Sequence, residues 1–440
     1  MSSFPQKVKT SLLNIVSDMA QKPEAFVRNP STDFSRNRKL SFENTMKLII
    51  SMGGSTLNTE LINFFQYRPT AIPSASAFVQ QRAKLLPEAF QYLFDQFNKA
   101  FPATKFYKGF RLIACDGSDV SFTANPADKD NFIQPPNASK GYNSFHLNAL
   151  YDLSTRTYVD ALIQSGHSKD EFRALCDMVD RYSPHLAAKT IFIADRGYPS
   201  YNVFAHIIEK GGYFLIRAKD KGRCGMVGRL PLPDQDEFDT LVDLTVIRRQ
   251  TKEIKAHLKN PRYLKQDSAF DYVEYGSDDT YPMSLRIVRF RIPNGSYECI
   301  VTNLPQKLFS PEEIKQLYGR RWEEETSFRE LKYAVGLIHL HSKKAEFVIQ
   351  EIWARMILYN FCEMITAHIV VEKRETRYRY QLNYTMAIKI CRHFLQLFPR
   401  SKKMDTETLI SRYLLPVKDG RTFSRQVKVR HQVSFLYRIS

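Results

Sequence analysis

The chain has 440 residues, 43% hydrophobic and 25% charged, an ordinary globular composition with room for two or three structural units. Its formal charge of +18 points to a polyanionic partner, most simply nucleic acid, although a ribosomal-type or membrane-surface protein shares such a bias. No sustained apolar run reads as a signal peptide or a membrane span, so a soluble, cytoplasmic protein is expected. The six cysteines, Cys115, Cys176, Cys224, Cys299, Cys362 and Cys391, form no CxxC or Cys/His cluster, which argues against structural zinc and for reduced thiols.

In chain order, residues 1–104 read as a helical region. Ser41 stands ahead of an apolar run as a helix cap, and helical patterns follow at 58–65 and 74–86. The last offers Ser74, Ser76, Gln80, Gln81, Arg82 and Lys84 as side chains for DNA, which suits a helix-turn-helix-like element or an ordinary small bundle. From 105 the period changes. Strands are expected at 111–116, 146–153, 157–164, 190–195 and 213–217, with helices at 168–182, capped by Ser168, and at 200–210. Such an order describes a mixed sheet with flanking helices, an α/β fold. Residues 220–304 break the rhythm and read as a β-rich insertion, with strands at 241–248 and 283–292. Helix returns at Ser310-Pro311, continues through 345–371, and gives way to a basic segment, 372–440, carrying 16 Lys/Arg against 5 Asp/Glu.

Two expected strands end in acids, Asp116 and Asp195, where open α/β sheets present catalytic groups. A strand-end Asp is more often a turn former, so neither is informative alone. Further on, Tyr318, Arg321, Glu325 and Lys332 fall at about 0°, 300°, 340° and 320° around an ideal helix, one narrow stripe. A solvated face with charge pairs would give a similar pattern. Combined with the aspartates, Glu325 completes three carboxylates suited to Mg²⁺ or Mn²⁺, and the basic groups suit phosphate oxygens. Asp119, three residues after Asp116, should face the other side of the strand. Arg217 and Lys219 follow a strand as an Arg-x-Lys phosphate contact, and Arg196 neighbours Asp195. His167 reads as a turn residue. Gly222, Gly225 and Gly228 lack the Lys-Ser/Thr of a phosphate loop and read as a connector.

Asp116-Gly-Ser, Asp195-Arg-Gly-Tyr and Tyr318-x2-Arg321-x3-Glu325-x6-Lys332 resemble the DDE transposases of bacterial insertion sequences, and within them the group with the Tyr-Arg-Glu-Lys (YREK) signature. The resemblance covers about 105–345. It implies a ribonuclease H-like core at 105–219 and 305–371, interrupted by the 220–304 insertion, with 1–104 binding DNA. Asp116, Asp195 and Glu325 would hold Mg²⁺ or Mn²⁺. Tyr318, Arg321 and Lys332 would contact double-stranded DNA near the cleaved end. It further implies nicking at terminal inverted repeats followed by strand transfer, by a homodimer. Many members form a hairpin at the transposon end and stack a flipped base on an aromatic of the insertion. Trp322 and Trp353 lie outside it, leaving Tyr272, Tyr275 or Tyr281. Two other readings remain: a ribonuclease H-like nuclease without strand transfer, and a non-catalytic DNA-binding protein.

Overall fold

The structure, a computed structural model, describes residues 3–36, 38–136, 140–222, 225–369, 379–397 and 404–417. Cys224 and much of the basic 372–440 segment lie outside them. Five helices open the chain: α1 (Phe4–Gln21), α2 (Phe42–Ser51), α3 (Leu57–Phe64), α4 (Ala75–Arg82) and α5 (Pro87–Ala100). Ser41, Thr56 and Ser74 cap α2, α3 and α4, each side chain accepting the backbone N–H three residues on. The helix expected over 74–86 stops at Arg82, because Pro87 opens a new helix at a position where its missing N–H costs nothing.

Next come β1 (Arg111–Phe122), β2 (Phe132–Ile133), β3 (Tyr142–Asp152), β4 (Thr157–Ser165), α6 (Glu171–Asp180), α7 (Pro184–Ala187), β5 (Thr190–Ala194), α8 (Tyr201–Glu209) and β6 (Tyr213–Ala218). The cap of α6 is Asp170, whose side chain accepts Arg173 N, while Ser168 bonds Ser165 instead; the expected start at 168 is therefore corrected. Then follow β7 (Phe238–Ile247), α9 (Lys252–His257), β8 (Pro261–Tyr263), β9 (Thr280–Arg291) and β10 (Tyr297–Thr302). The chain returns to helix with α10 (Pro311–Gly319), α11 (Trp322–Arg329), a wide π turn (Glu330–Val335) and α12 (Ala345–Thr366). It continues with β11 (Arg379–Leu382), α13 (Tyr384–Gln396), α14 (Thr406–Ser411) and β12 (Leu414–Val417).

Ten strands form one mixed sheet in the order β2-β3-β1-β5-β6-β10-β9-β7-β8, with β4 on the free side of β3. β1, β5 and β6 are parallel and central; β3 and β10 flank them antiparallel. The strands of 220–304 continue this same sheet through the β6–β10 ladder. Side-chain alternation splits the core in two. Leu112, Ala114, Ile191 and Ile193 face a core shared with α1, α2, α5 and α10 to α13, whereas Ile113, Cys115, Phe192 and Ala194 face α6 and α8. α12 is buried almost all round and is the spine against which the N-terminal helices pack. No helix among the described residues is long and apolar enough to cross a membrane.

Two expectations for α4 are corrected. Gln81 and Arg82 point into the core, and Arg82 donates to Gln350 Oε1 and Glu351 Oε1, both at 2.8 Å. Neither can meet DNA from there.

α12 also buries Glu363, 3.4 Å from Arg156. Burial pushes this carboxyl up from 4.5 to about 7, more than Arg156 pulls it down. A carboxyl raised on folding stabilises below its unfolded value and loses that contribution as pH rises through its folded value. Stability should thus fall by on the order of 2–3 kcal/mol between pH about 4.5 and 7, and Glu363→Gln should flatten that slope in urea melts recorded across the range.

Candidate active site

Asp116 and Asp195 come together through strand register. The parallel β1–β5 ladder pairs Ala114 with Ile193 and Cys115 with Ala194. The strand expected to end at 116 runs on to Phe122, while β5 stops at Ala194, so Asp116 lies within its strand and Asp195 just past its own. Each stands one residue beyond the last pair of the ladder, on the parity of Ala114 and Ile193, the face covered by the C-terminal helices. Asp119 has the opposite parity and pairs with His146 Nδ1 at 2.7 Å, as its spacing from Asp116 implies.

Glu325 reaches that face on α11. α10, which leads into it, begins at a full capping box, with Ser310 and Glu313 each satisfying the other's backbone N–H, and Pro311 in the first turn. The two are not the single ideal helix that the stripe assumes. At Gly319–Trp322 the bonds tighten to three-residue spacing (Arg321 N to Tyr318 O, 3.0 Å; Glu324 N to Arg321 O, 3.0 Å), which separates α10 from α11. Beyond α11 the coil widens into the π turn that carries Lys332, closed by Gly336 at φ 95°. Tyr318, Glu325 and Lys332 therefore belong to three different segments, with Arg321 at the junction.

Arg321 is the hub. Only 2% exposed, it donates to Glu325 Oε1 at 2.9 Å and lies within electrostatic reach of Asp116 and Asp195. Tyr318 donates its hydroxyl to Asp195 Oδ1 at 3.2 Å. Arg217, expected on phosphate, is turned inward: it pairs with Asp195 Oδ1 at 3.0 Å and donates to Glu298 Oε1 at 2.8 Å. Lys219, just past β6, is exposed. Arg196 is exposed too, and its backbone N–H donates to Asp195 Oδ1 at 2.6 Å. Lys332 is half-buried near Asp116 and Asp119, and burial pulls its ammonium below the usual lysine range.

These partners split the two aspartates electrostatically. Burial pushes Asp116 up to about 6; the Gly117 N–H and Arg321 pull it down, while Glu171 and Glu325 push further. At Asp195 burial is outweighed by the Arg196 N–H, Arg321, Arg217 and Tyr318, so that carboxyl is held below the usual range.

Among the described residues no group of three or more His, Cys, Asp or Glu side chains stands close enough to hold a metal ion. Asp116, Asp195 and Glu325 share Arg321 rather than a common point. In donor type, all carboxylate oxygen, they fit a hard divalent cation. Their present spacing is the one set by Arg321, Arg217 and Tyr318.

Two site residues were not anticipated. Glu324 is fully buried beside Asp116, and burial pushes its carboxyl well up. Its signal was legible: Ile314, Leu317, Arg321, Glu324, Phe328, Leu331 and Val335 recur at alternating steps of three and four and are all buried, so Glu324 sits at a core position. Glu171, at the start of α6, gave no such signal. Of the insertion aromatics, Tyr275 is exposed with Arg248 over its ring, whereas Tyr272 and Tyr281 pack on Phe270. Trp322 is 56% exposed, next to Arg321.

Residues 107–361, more than half of the chain, match a protein-family model described as Transposase DDE domain. Among solved structures, the chain is similar to a piggyBac transposase seen by cryo-EM in a synaptic complex with hairpin DNA. That match has 8% identity and a TM-score of 0.46, and covers 89% of this chain and 80% of that one. No curated protein matches.

Proposed function

Because the chain belongs to the family carrying the transposase DDE domain, we propose that it is a DNA transposase that cleaves at terminal inverted repeats and joins the freed ends to target DNA. The observation that carries this reading is that the β1–β5 ladder stops one residue before Asp116 and Asp195, and that one guanidinium, Arg321, bonds Glu325 and acts electrostatically on both aspartates. In this reading the core is ribonuclease H-like and the chain falls in the YREK group of bacterial insertion sequences. It acts in the cytoplasm on nucleoid DNA, as a homodimer on the two ends.

Asp116, Asp195 and Glu325 would hold Mg²⁺, with Mn²⁺ as a substitute. Bound there, the ions would supply activation of the attacking hydroxyl and stabilisation of the departing oxygen. The chain's own residues do the rest. Arg321 keeps the three carboxylates apart until the DNA end arrives, then offers its guanidinium to a phosphate oxygen. Tyr318 orients Asp195 and adds a directional hydrogen bond. Lys332, half-buried near Asp116, takes the phosphate on that side. Arg217 acts as a positioning residue for Asp195, and Lys219 is the more accessible phosphate contact of that pair.

The test incubates purified protein and Mg²⁺ with DNA taken from the two flanks of the coding region, where this reading expects short inverted repeats. Nicks bearing 3′-hydroxyl ends, followed by products joined to a supercoiled target, are expected. Nicks without joined products would favour a nuclease lacking strand transfer; binding without nicks would leave a DNA-binding protein.

A further inference from the structure

Behind the two aspartates, on the opposite face of the sheet, lies a charged cluster that the catalytic reading does not use. His146 stands on β3 directly across from Asp119 on β1 and is 3% exposed. Its Nδ1 lies 2.7 Å from Asp119 Oδ1, and its Nε2 lies 3.0 Å from Glu171 Oε1, an ion-pair contact without hydrogen-bond alignment. Lys169 approaches Asp119 from outside at 3.6 Å.

The cluster occupies the space that Gly117 leaves open. A Cβ on Gly117 would stand 2.4 Å from His146 Nε2 and 2.9 Å from Glu171 Oε1, so any side chain there would force one or both of them to move. The other oxygen of the same carboxylate, Oε2, lies 3.6 Å from the place of a Cβ on Gly197. Glu171 therefore faces the side-chain positions of both glycines near the two acids, one residue after Asp116 and two after Asp195. Its charge is felt at Cys115, Asp116 and Tyr198.

We propose that His146 and Glu171 form a clamp that sets the spacing between the middle of β1 and the end of β5, where their ladder stops: Asp119 anchors His146, and His146 holds Glu171 between Gly117 and Gly197. Both are positioning residues, acting through the backbone that carries Asp116 and Asp195. Burial pulls the His146 imidazole down, but Asp119 and Glu171 more than offset it and push it up to about 9, so it carries its charge at neutral pH. A buried imidazolium between two carboxylates resists rotation, and it fixes Glu171 in a way that a neutral side chain would not. The same arrangement explains why the first acidic motif reads Asp-Gly.

The proposal rests on the reading of Asp116 and Asp195 as catalytic, and its test separates the two. His146→Ala, Glu171→Gln and the double variant are compared with the full-length wild type in end binding, single-turnover cleavage and hydrogen exchange without DNA. Each single variant should cleave about 10–100-fold more slowly while binding ends within about threefold. The double should be no worse than either, because both changes break one device. Amides of 116–119 and 195–198 should exchange faster in His146→Ala, with the rest of the chain unchanged. Should His146→Ala simply misfold, the isosteric Glu171→Gln carries the test. Wild-type cleavage rates in both singles, or additive losses in the double, would overturn the clamp and leave the proposed function standing. If the wild type does not cleave at all, the proposed function fails; the clamp is then decided by exchange, and unchanged protection at those amides overturns it.

Discussion

Glu325→Gln should lower cleavage of the transposon end by on the order of 10²–10³-fold or more, while end binding stays within a few-fold. The change keeps the volume of the side chain and removes only its negative charge, so α11 and its buried stripe are undisturbed. What is lost is the carboxylate that Arg321 holds at 2.9 Å, one of the three oxygen donors on that face of the sheet. Arg321 retains Asp116 and Asp195 within reach, so its guanidinium is not stranded. Binding to DNA, which draws on the cations, has no reason to fall and gains slightly from the removed charge. Glu324→Gln is the comparison one residue away: Glu324 is buried beside Asp116 but makes no ion pair among the described residues, so its amide variant should lose less cleavage than Glu325→Gln. Time courses on labelled end DNA, read beside gel shifts, separate the two neighbours. Equal nicking by Glu325→Gln would remove that carboxylate from the mechanism.

The contrast between Glu324 and Glu325 shows where sequence reasoning reached and where it stopped. The two acids were legible because continuous apolar runs end visibly at Asp116 and Asp195, although β1 itself continues to Phe122. Their adjacency was not, since a parallel register between strands about eighty residues apart leaves no local trace. The stripe of Tyr318, Arg321, Glu325 and Lys332 was found by assuming 3.6 residues per turn throughout. The real coil tightens at Gly319–Trp322 and widens at Glu330–Val335, two deviations that propensity does not encode. Arg217 was placed on phosphate by its Arg-x-Lys spacing, but its partners, Asp195 and Glu298, come from distant strands. Arg82 failed for the same reason: its helix looks polar, and only α12 across the interface explains why a guanidinium is buried there.

That interface sets the largest expected effect on stability. Glu351 on α12 is fully buried and gathers positive charge from three directions. Arg82 reaches it at 2.8 Å, the backbone N–H of His341 donates to Oε2 at 2.9 Å, and Arg355 stands 4.0 Å away on the same helix. Burial alone would raise this carboxyl, yet Arg82, His341 and Arg355 outweigh it and hold it far below the usual range. Glu351→Ala would leave buried Arg82 without its ion-pair partner and Arg355 with Glu60 as its remaining attractive charge, and removing one partner of a buried pair costs about 3–5 kcal/mol. Replacing Arg82 together with Glu351 by apolar residues of similar size should recover part of that loss, because the stranded cation is removed as well. The consequence extends beyond stability. Arg355 donates to the backbone oxygen of Gly53, and His341 meets Ser55 O at 3.0 Å, so the network clips the loop after α2 to the segment that follows Gly336. That segment follows the π turn bearing Lys332. Glu351→Ala should therefore lower the urea midpoint and, at a temperature where the variant is still folded, loosen Lys332 and weaken end binding. A variant that melts early but binds ends as tightly as wild type would confine the network to holding the helical layers together.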